Sequence, residues 1–370
     1  MAAGVLVGIA LAAGRGQTPA SRRDGQSPEQ ATGAFGETKS TDEPRWKQHA
    51  RARESGRGRE AEKPTQIPWR GWKDVLLRTY EEIGKDRLLA VAAGVVFFAL
   101  LAIFPGITAL VSSYGLFFDY GTINQHLSLA AGILPESAFG LVQEQVGRIV
   151  SKGSGKLSLG FLFGLGLALW SANAGMKAIF DALNVIYDEE EKRGFIRLNL
   201  ISLGFTLGAI GVMLLAVGAV VVFPLVLAFF GIQKINPLLL SILRWPVLFG
   251  LIIVGLALLY RFGPSRRDPK WRWVSVGSVF AAVTWVGASL GFSFYLSKFA
   301  DYDATYGSLG AVIGLMMWMW LSAIVILTGA ELNAEIEHQT ARDSTRGAAK
   351  PMGARGAAMA DTVGEAKAAA

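Results

Sequence analysis

Residues 307–336 read GSLGAVIGLMMWMWLSAIVILTGAELNAEI: roughly two dozen residues without a charge, then Glu331 and Glu335 one helical turn apart. As a helix rising 1.5 Å per residue, such a run is long enough to cross a hydrocarbon core about 30 Å thick. Its charged end poses a second question. A helix C-terminus disfavours negative charge, so two acids there call for a basic partner.

Working outward, five more charge-poor segments precede it, at about 88–115, 157–177, 199–230, 238–260 and 273–297, with the sixth at 307–330. Each has the length of a spanning helix. Backbone polar groups in lipid must be satisfied within their own segment, which favours helices, and the alternation of a membrane barrel is not visible. Composition agrees, with 52% hydrophobic and only 18% charged residues in a chain of 370. The expected fold is all-α: a polytopic membrane protein, a bundle of six transmembrane helices with kinked or broken members.

Orientation follows from Lys and Arg, which are hard to translocate and collect on the cytoplasmic side. Arg70, Lys73, Arg78, Lys85 and Arg87 precede the first segment; Lys192, Arg193 and Arg197 separate the second from the third. Arg261, Arg266, Arg267, Lys270 and Arg272 lie between the fourth and fifth, and Arg342, Arg346 and Lys350 follow the sixth. The opposite side holds Arg148, Lys152, Lys156, Lys234 and Lys298, sixteen basic residues against five. Both termini are therefore expected in the cytoplasm, and the net charge of +7 is explained without nucleic acid as a partner.

Three regions are expected. Residues 1–65 read as a disordered cytoplasmic tail with a short apolar start (AAGVLVGIALAA), 66–338 as the transmembrane domain, and 339–370 as a disordered cytoplasmic tail. Cysteine is absent, which excludes disulfides, thiolate metal sites and cysteine nucleophiles. His49, His126 and His338 fall in no metalloenzyme spacing, and no phosphate-cradling GxxxxGK[ST] loop occurs. The expectation is no enzyme, no cofactor and no metal.

Within the spans, Pro105, Pro224 and Pro246 each remove a backbone donor and are expected to bend or break their helices. The third segment, uncharged from Arg197 to Lys234, is longer than a straight span needs, so a kink, tilt or re-entrant end is expected near Pro224. Gly160/Gly164, Gly204/Gly208, Gly287/Gly291 and Gly310/Gly314 are small-xxx-small pairs that predict close helix approach and offer faces for an oligomer. Residues 136–152 and 176–187 have amphipathic spacing.

Ionisable and polar residues inside spans are the candidate site, since burying them is costly unless they are paired or hydrated. Arg244 sits about 10 Å inside the external end of the fourth segment at 1.5 Å per residue. Asp301 and Asp303 lie on the same side as possible partners; the alternative is that Arg244 snorkels to the phosphate layer. On the inner side Glu331 and Glu335 share a helix face with Asn333 between them, their basic partners sought in RFGPSRRDPKWR (261–272). Ser171 and Asn173 are polar at moderate depth and suited to hydrogen bonds across helices.

Four runs resemble one family: IPWRGWKDVLLRTYEEIGKDRLLAVAAGVVFFALLAIFPGI, ALWSANAGMKAIFDALNVIYDEEEKRGFIR, LLYRFGPSRRDPKWRW and YGSLGAVIGLMMWMWLSAIVILTGAELNAEIEH. Together, over about 66–338, they are similar to the YihY/virulence-factor BrkB family of bacterial inner-membrane proteins. Positions matching its recurrent motifs include Asp86, Pro105, Trp170, Ser171, Asn184, Tyr187, Tyr260, Pro264, Tyr306, Trp318, Gly329, Glu331 and Asn333. The resemblance implies six spanning helices and a role in the cell envelope, with membrane lipids or an anionic envelope precursor as the expected partner of a transporter or flippase. A non-transporting envelope scaffold is the alternative. The family's old label of ribonuclease finds no support in this sequence, because no nuclease-like metal cluster can be assembled from it.

Overall fold

A computed structural model describes residues 44–115, 143–144, 147, 159–229, 237–299 and 310–367. A short helix α1 (Arg45–Ala52) and a single 3-10 turn at Pro64–Gln66 lead into α2 (Trp69–Lys85). Among the described residues six long helices follow: α3 (Leu88–Gly115), α4 (Leu159–Ile186), α5 (Phe195–Phe229), α6 (Pro237–Phe262), α7 (Trp271–Phe299) and α8 (Gly310–His338). A single turn, α9 (Ala358–Asp361), lies near the end. The fold is all-helical, its sole β-type pairing among the described residues being an antiparallel bridge between Pro269 and Thr345.

The long helices coincide with the charge-poor segments because an apolar run without charges satisfies its backbone only by winding on itself. Among the described residues, Phe195–Leu215, Trp271–Leu296 and Val312–His338 are long and apolar enough to cross a membrane. The pair Trp69–Lys85 and Leu88–Ile103, bent by 61°, makes a fourth if counted as one span, and Pro246–Phe262 is a shorter apolar helix. Three to four spans are thus defined by length and composition, against the six expected.

The prolines do not break their helices. Pro105 lies inside α3 and Pro246 inside α6, and α5 runs unbroken from Phe195 to Phe229, past Pro224. A helix loses one hydrogen bond at a proline, whereas a full break frees several backbone groups that lipid cannot satisfy. At 35 residues α5 is roughly 50 Å long, more than a hydrocarbon core requires. The sharp break comes instead at Asp86–Arg87, where Arg87 takes φ 51° and redirects the chain from α2 into α3. Such a left-handed residue ends one helix and lets the next begin at a new angle.

Helix α8 is the centre of the packing: it meets α2, α3, α4, α7 and α9. Around it Val95, Val96, Phe180, Leu183, Ile186, Leu256, Leu259, Ala281 and Leu327 form the main apolar core, and Ala61, Ile67, Val75, Trp273, Leu332 and Ile336 a second one at the charged end. The flanks of the bundle are apolar and uncovered, as at Phe97, Leu101, Phe163, Leu200, Val283 and Leu290. Exposed apolar surface on that scale marks a membrane-facing protein.

The closest helix approach among the described glycines is between α7 and α8, at Gly277 and Gly329. A side chain on Gly277 of α7 would collide with the Gly329 carbonyl of α8 and stand 2.6 Å from the Asn333 amide. Gly329 is equally confined, 2.7 Å from Ala281 and 2.8 Å from the Tyr260 hydroxyl. By contrast Gly164, Gly204, Gly208, Gly287, Gly291 and Gly314 would meet nothing within 4 Å among the described residues. Spacing puts two glycines on one face but does not say which face meets a neighbour.

The terminal regions also depart from expectation. Residues 44–65 and 339–367, read from sequence as disordered tails, are folded onto the bundle. Arg59 donates to Glu54 at 2.7 Å, to the Gly364 carbonyl at 2.7 Å and to the Gln339 carbonyl at 3.2 Å. Arg355 donates to the carbonyls of Ala341 and Ala360 at 2.7 and 2.5 Å. A tract poor in apolar residues becomes ordered here because its charges find charged or carbonyl partners, which make stronger hydrogen bonds than neutral pairs.

Candidate functional site

Asn333, Glu335 and Glu337 occupy the last two turns of α8, where every residue from Gly329 to Glu337 is buried. A helix buried all round at its polar end needs partners on every side. They come from α2, from the turn joining α4 to α5, from the turn joining α6 to α7, and from the chain after α8.

On the α2 side, Arg78 places Nε 2.5 Å from the Glu335 carboxylate, Nη2 2.8 Å from Gln339 Oε1 and Nη1 2.8 Å from the Glu365 carbonyl. His338 Nδ1 stands 3.6 Å from the same carboxylate. One turn earlier on α2, Asp74 accepts both contacts of Arg57, at 2.7 and 2.9 Å, and the Lys367 backbone N–H at 2.8 Å. The far end of the chain is thus stitched to the start of the bundle.

On the opposite side, Arg266 Nη1 meets Glu337 Oε2 at 2.6 Å, and the Ser344 hydroxyl donates to Glu337 Oε1 at 2.6 Å. The Arg266 guanidinium also lies 4.0 Å from the Tyr187 ring centroid. Burial pushes the Tyr187 phenol up, despite the pull of Arg266, so it stays protonated. Beside it, Asn184 accepts the Ser265 N–H at 2.7 Å and donates to Glu191 at 3.2 Å. Burial of Glu191 opposes its ionisation, yet hydrogen bonds from Arg193 and Asn184 outweigh it and hold the carboxyl at about 2.

Between the two sides, Asn333 accepts the Gly277 N–H at 2.7 Å and donates to the Val274 carbonyl at 3.1 Å. The asparagine reads the backbone of α7 at the point where the glycines allow the closest approach. This explains why a polar residue sits in the tightest crossing of the bundle.

The sequence-derived residues distribute unevenly. Asn333 and Glu335 enter the lattice as described, and Glu331 lies one turn deeper, buried. The expected partner loop supplies Arg266, which pairs with Glu337, while Glu335 is paired from α2. Asn173 is buried and accepts the Thr206 hydroxyl across α4 and α5 at 3.3 Å; Ser171 is partly buried. Arg244 lies on α6, and Asp301 and Asp303 fall outside the described residues, as does all but a fragment of 136–152. Missed from sequence were Arg57, Asp74, Arg78, Glu337 and Gln339. Arg78 was legible only as one of many basic residues near a span.

One cation stands apart. Arg261, at the end of α6, is only 3% exposed, and its guanidinium lies 4.3 Å from the Trp271 ring centroid and 5.2 Å from that of Phe262. Its Nε and Nη1 make no hydrogen bond among the described residues. Arg59, Arg78 and Arg355, buried as well, donate to carboxylates or carbonyls. Asp268 and Arg346 are the charged neighbours whose fields reach Arg261. Among the described residues no group of three His, Asp or Glu side chains could hold a metal ion.

Long apolar helices with uncovered flanks, locked at one end by buried ion pairs, define an integral membrane protein of the multi-helix bundle class. Comparison of sequences gives the particular lineage. The profile of the virulence factor BrkB family matches residues 79–353, and the chain belongs to that family. Among its relatives is a ribonuclease-like protein of Bacillus subtilis, YfkH, 34% identical over 255 residues that cover 66% of this chain and 88% of the relative. A UPF0761 membrane protein of Idiomarina loihiensis is 29% identical over 60% of this chain and 75% of its own length. Another, of Methylibium petroleiphilum, is 24% identical over 71% of this chain, which spans 62% of that relative. No solved structure matches the chain.

Proposed function

We propose that the protein spans the bacterial inner membrane six times, with both ends in the cytoplasm, and moves an anionic amphiphilic component of the envelope between leaflets. The charge lattice then sits on the cytoplasmic face, which agrees with the excess of Lys and Arg there. Arg261 carries the reading. A buried guanidinium whose Nε and Nη1 lack acceptors among the described residues is unfavourable by roughly several kcal/mol, and stacking on Trp271 returns only part of that. At the end of a span, the group that completes it is the phosphate of a lipid-like headgroup. Arg244 would hold the headgroup on the outer side, with Asp301 and Asp303 as its ion-pair partners when no lipid is bound, and Glu331 would form an inner gate with the basic loop between α6 and α7 as the bundle exposes its interior alternately to the two faces.

The test is translocation of fluorescent phosphatidylglycerol in proteoliposomes. Wild type is expected to move it faster than protein-free vesicles, Arg261→Gln several-fold more slowly, and Arg261→Lys in between. A wild type indistinguishable from empty vesicles would sink the transport reading and favour a scaffold. Arg261→Gln, Arg244→Ala and Glu331→Ala moving lipid at the wild-type rate would remove the assigned residues alone.

A further inference from the structure

Helix α2 is amphipathic in the inverted sense. Its buried face is Gly71, Asp74, Val75, Arg78 and Thr79, largely polar and spent on the charge lattice. The opposite face, at the helical spacing 69, 73, 76, 77, 80, carries Trp69 at 67%, Leu76 at 50%, Leu77 at 46% and Tyr80 at 78% exposure, with Lys73 among them. A water-facing helix would place these residues the other way round.

We infer that α2 lies in the plane of the membrane, with its Trp69–Leu76–Leu77–Tyr80 face set into the headgroup and acyl boundary of an anionic leaflet. Three observations choose lipid as the occupant. First, α2 runs directly into α3 across a 61° bend at Asp86–Arg87, so the face stands where an apolar, spanning helix begins. Second, the charge of the face is one-sided. Asp74, Glu81 and Glu82 are held by Arg57, Lys367 and Lys85. Arg70 and Lys73 make no ion pair among the described residues and are both exposed, and the Lys73 ammonium sits 5.8 Å from the Trp69 ring centroid. Third, the residues are of the interfacial kind: Trp and Tyr bury a ring and keep a polar tip at headgroup level, while Lys and Arg reach the phosphates.

The arrangement gives α2 two tasks at once. Through Arg78 and Asp74 it grips α8 and the chain after it; through the other face it fixes the height of that lattice against the bilayer. The inference rests on the membrane character of the chain and not on transport, so a protein that moves no lipid would still show it.

Because the chain has no cysteine, single nitroxide labels can be placed without other changes. We would label Leu76→Cys, Tyr80→Cys and, as a water-exposed reference, Lys63→Cys. The full chain is reconstituted in vesicles of phosphatidylethanolamine and phosphatidylglycerol, after circular dichroism has shown unchanged helicity. The ratio of collisions with oxygen to collisions with a water-soluble nickel chelate is expected to be several-fold higher at 76 and 80 than at 63. The double substitution Arg70→Glu with Lys73→Glu should lower the ratio at 76 in these vesicles and leave it unchanged in phosphatidylcholine. Ratios at 76 and 80 equal to that at 63 would overturn the inference. So would exclusion of both reagents with dipolar broadening that disappears on dilution by unlabelled protein, the signature of a second copy on this face.

Discussion

Helix α8 is two helices in one. Upstream of Gly329 its residues alternate between partial and full burial, and Met316 and Met317 are uncovered. Downstream, nine consecutive residues from Gly329 to Glu337 are buried, and the crossing with α7 is so close that neither Gly277 nor Gly329 has room for a methyl group. The difference lies in the solvent each half was built for. Hydrocarbon is as apolar as the side chains it covers, so the upstream half gains little by burying them in protein. The downstream half carries charges that neither lipid nor a shallow interface satisfies, so protein surrounds them completely.

If that contrast is right, the two halves respond very differently to substitution. The largest loss is expected from breaking the lattice on one side only. Arg78→Ala or Glu335→Ala leaves a buried charge without its partner and should lower stability by about 3–5 kcal/mol. Thermal unfolding in detergent would show it, and the double substitution should cost less than the sum of the two singles, because the pair is coupled. Equal and additive losses would mean that the residues act independently.

A middle-sized effect tests the glycines. Gly277→Ala should cost about 1–3 kcal/mol by overpacking against Gly329 and Asn333. The same change at Gly287, on the same helix, should stay within about 0.5 kcal/mol, because among the described residues nothing lies within 4 Å of its new methyl. Matching losses at both positions would erase the distinction between the halves.

The smallest effect is in pH. Glu191 is held at about 2, below its ordinary 4.5, so the folded state binds its proton less readily than the unfolded state. Its contribution is present above about pH 4.5 and is lost as pH falls toward 2. Glu191→Gln should therefore lower the plateau at neutral pH and flatten the acid limb of a stability profile, so that variant and wild type converge toward pH 2. An unchanged acid limb would show that Arg193 does not hold this carboxylate in solution.

Parts of the architecture were plain in the chain. The charge-poor segments located the long helices, because an uncharged run in lipid has no alternative to winding on itself, but α4 and α8 run on past the expected ends at about 177 and 330, to Ile186 and His338. Glu335 and Asn333 were visible as polar residues where a helix disfavours them. Their partners were not, because Arg78 is separated from Glu335 by 257 positions and resembles every other basic residue beside a span. The ordering of 339–367 was hidden for the same reason: Gln339, Thr340 and Ser344 look like any polar tail until the carbonyls and carboxylates they meet are in place.

The sequence by itself determined that this protein lives in a membrane and that helices cross it, since both follow from local properties of the chain: length, apolarity and the demand of each backbone group for a partner. The tertiary structure alone decided which acid meets which arginine, which glycines sit at a crossing, and that the polar ends fold into a lattice. Those are contacts between distant parts of the chain. Their stability depends on which groups are brought out of water together, a condition that no single segment contains.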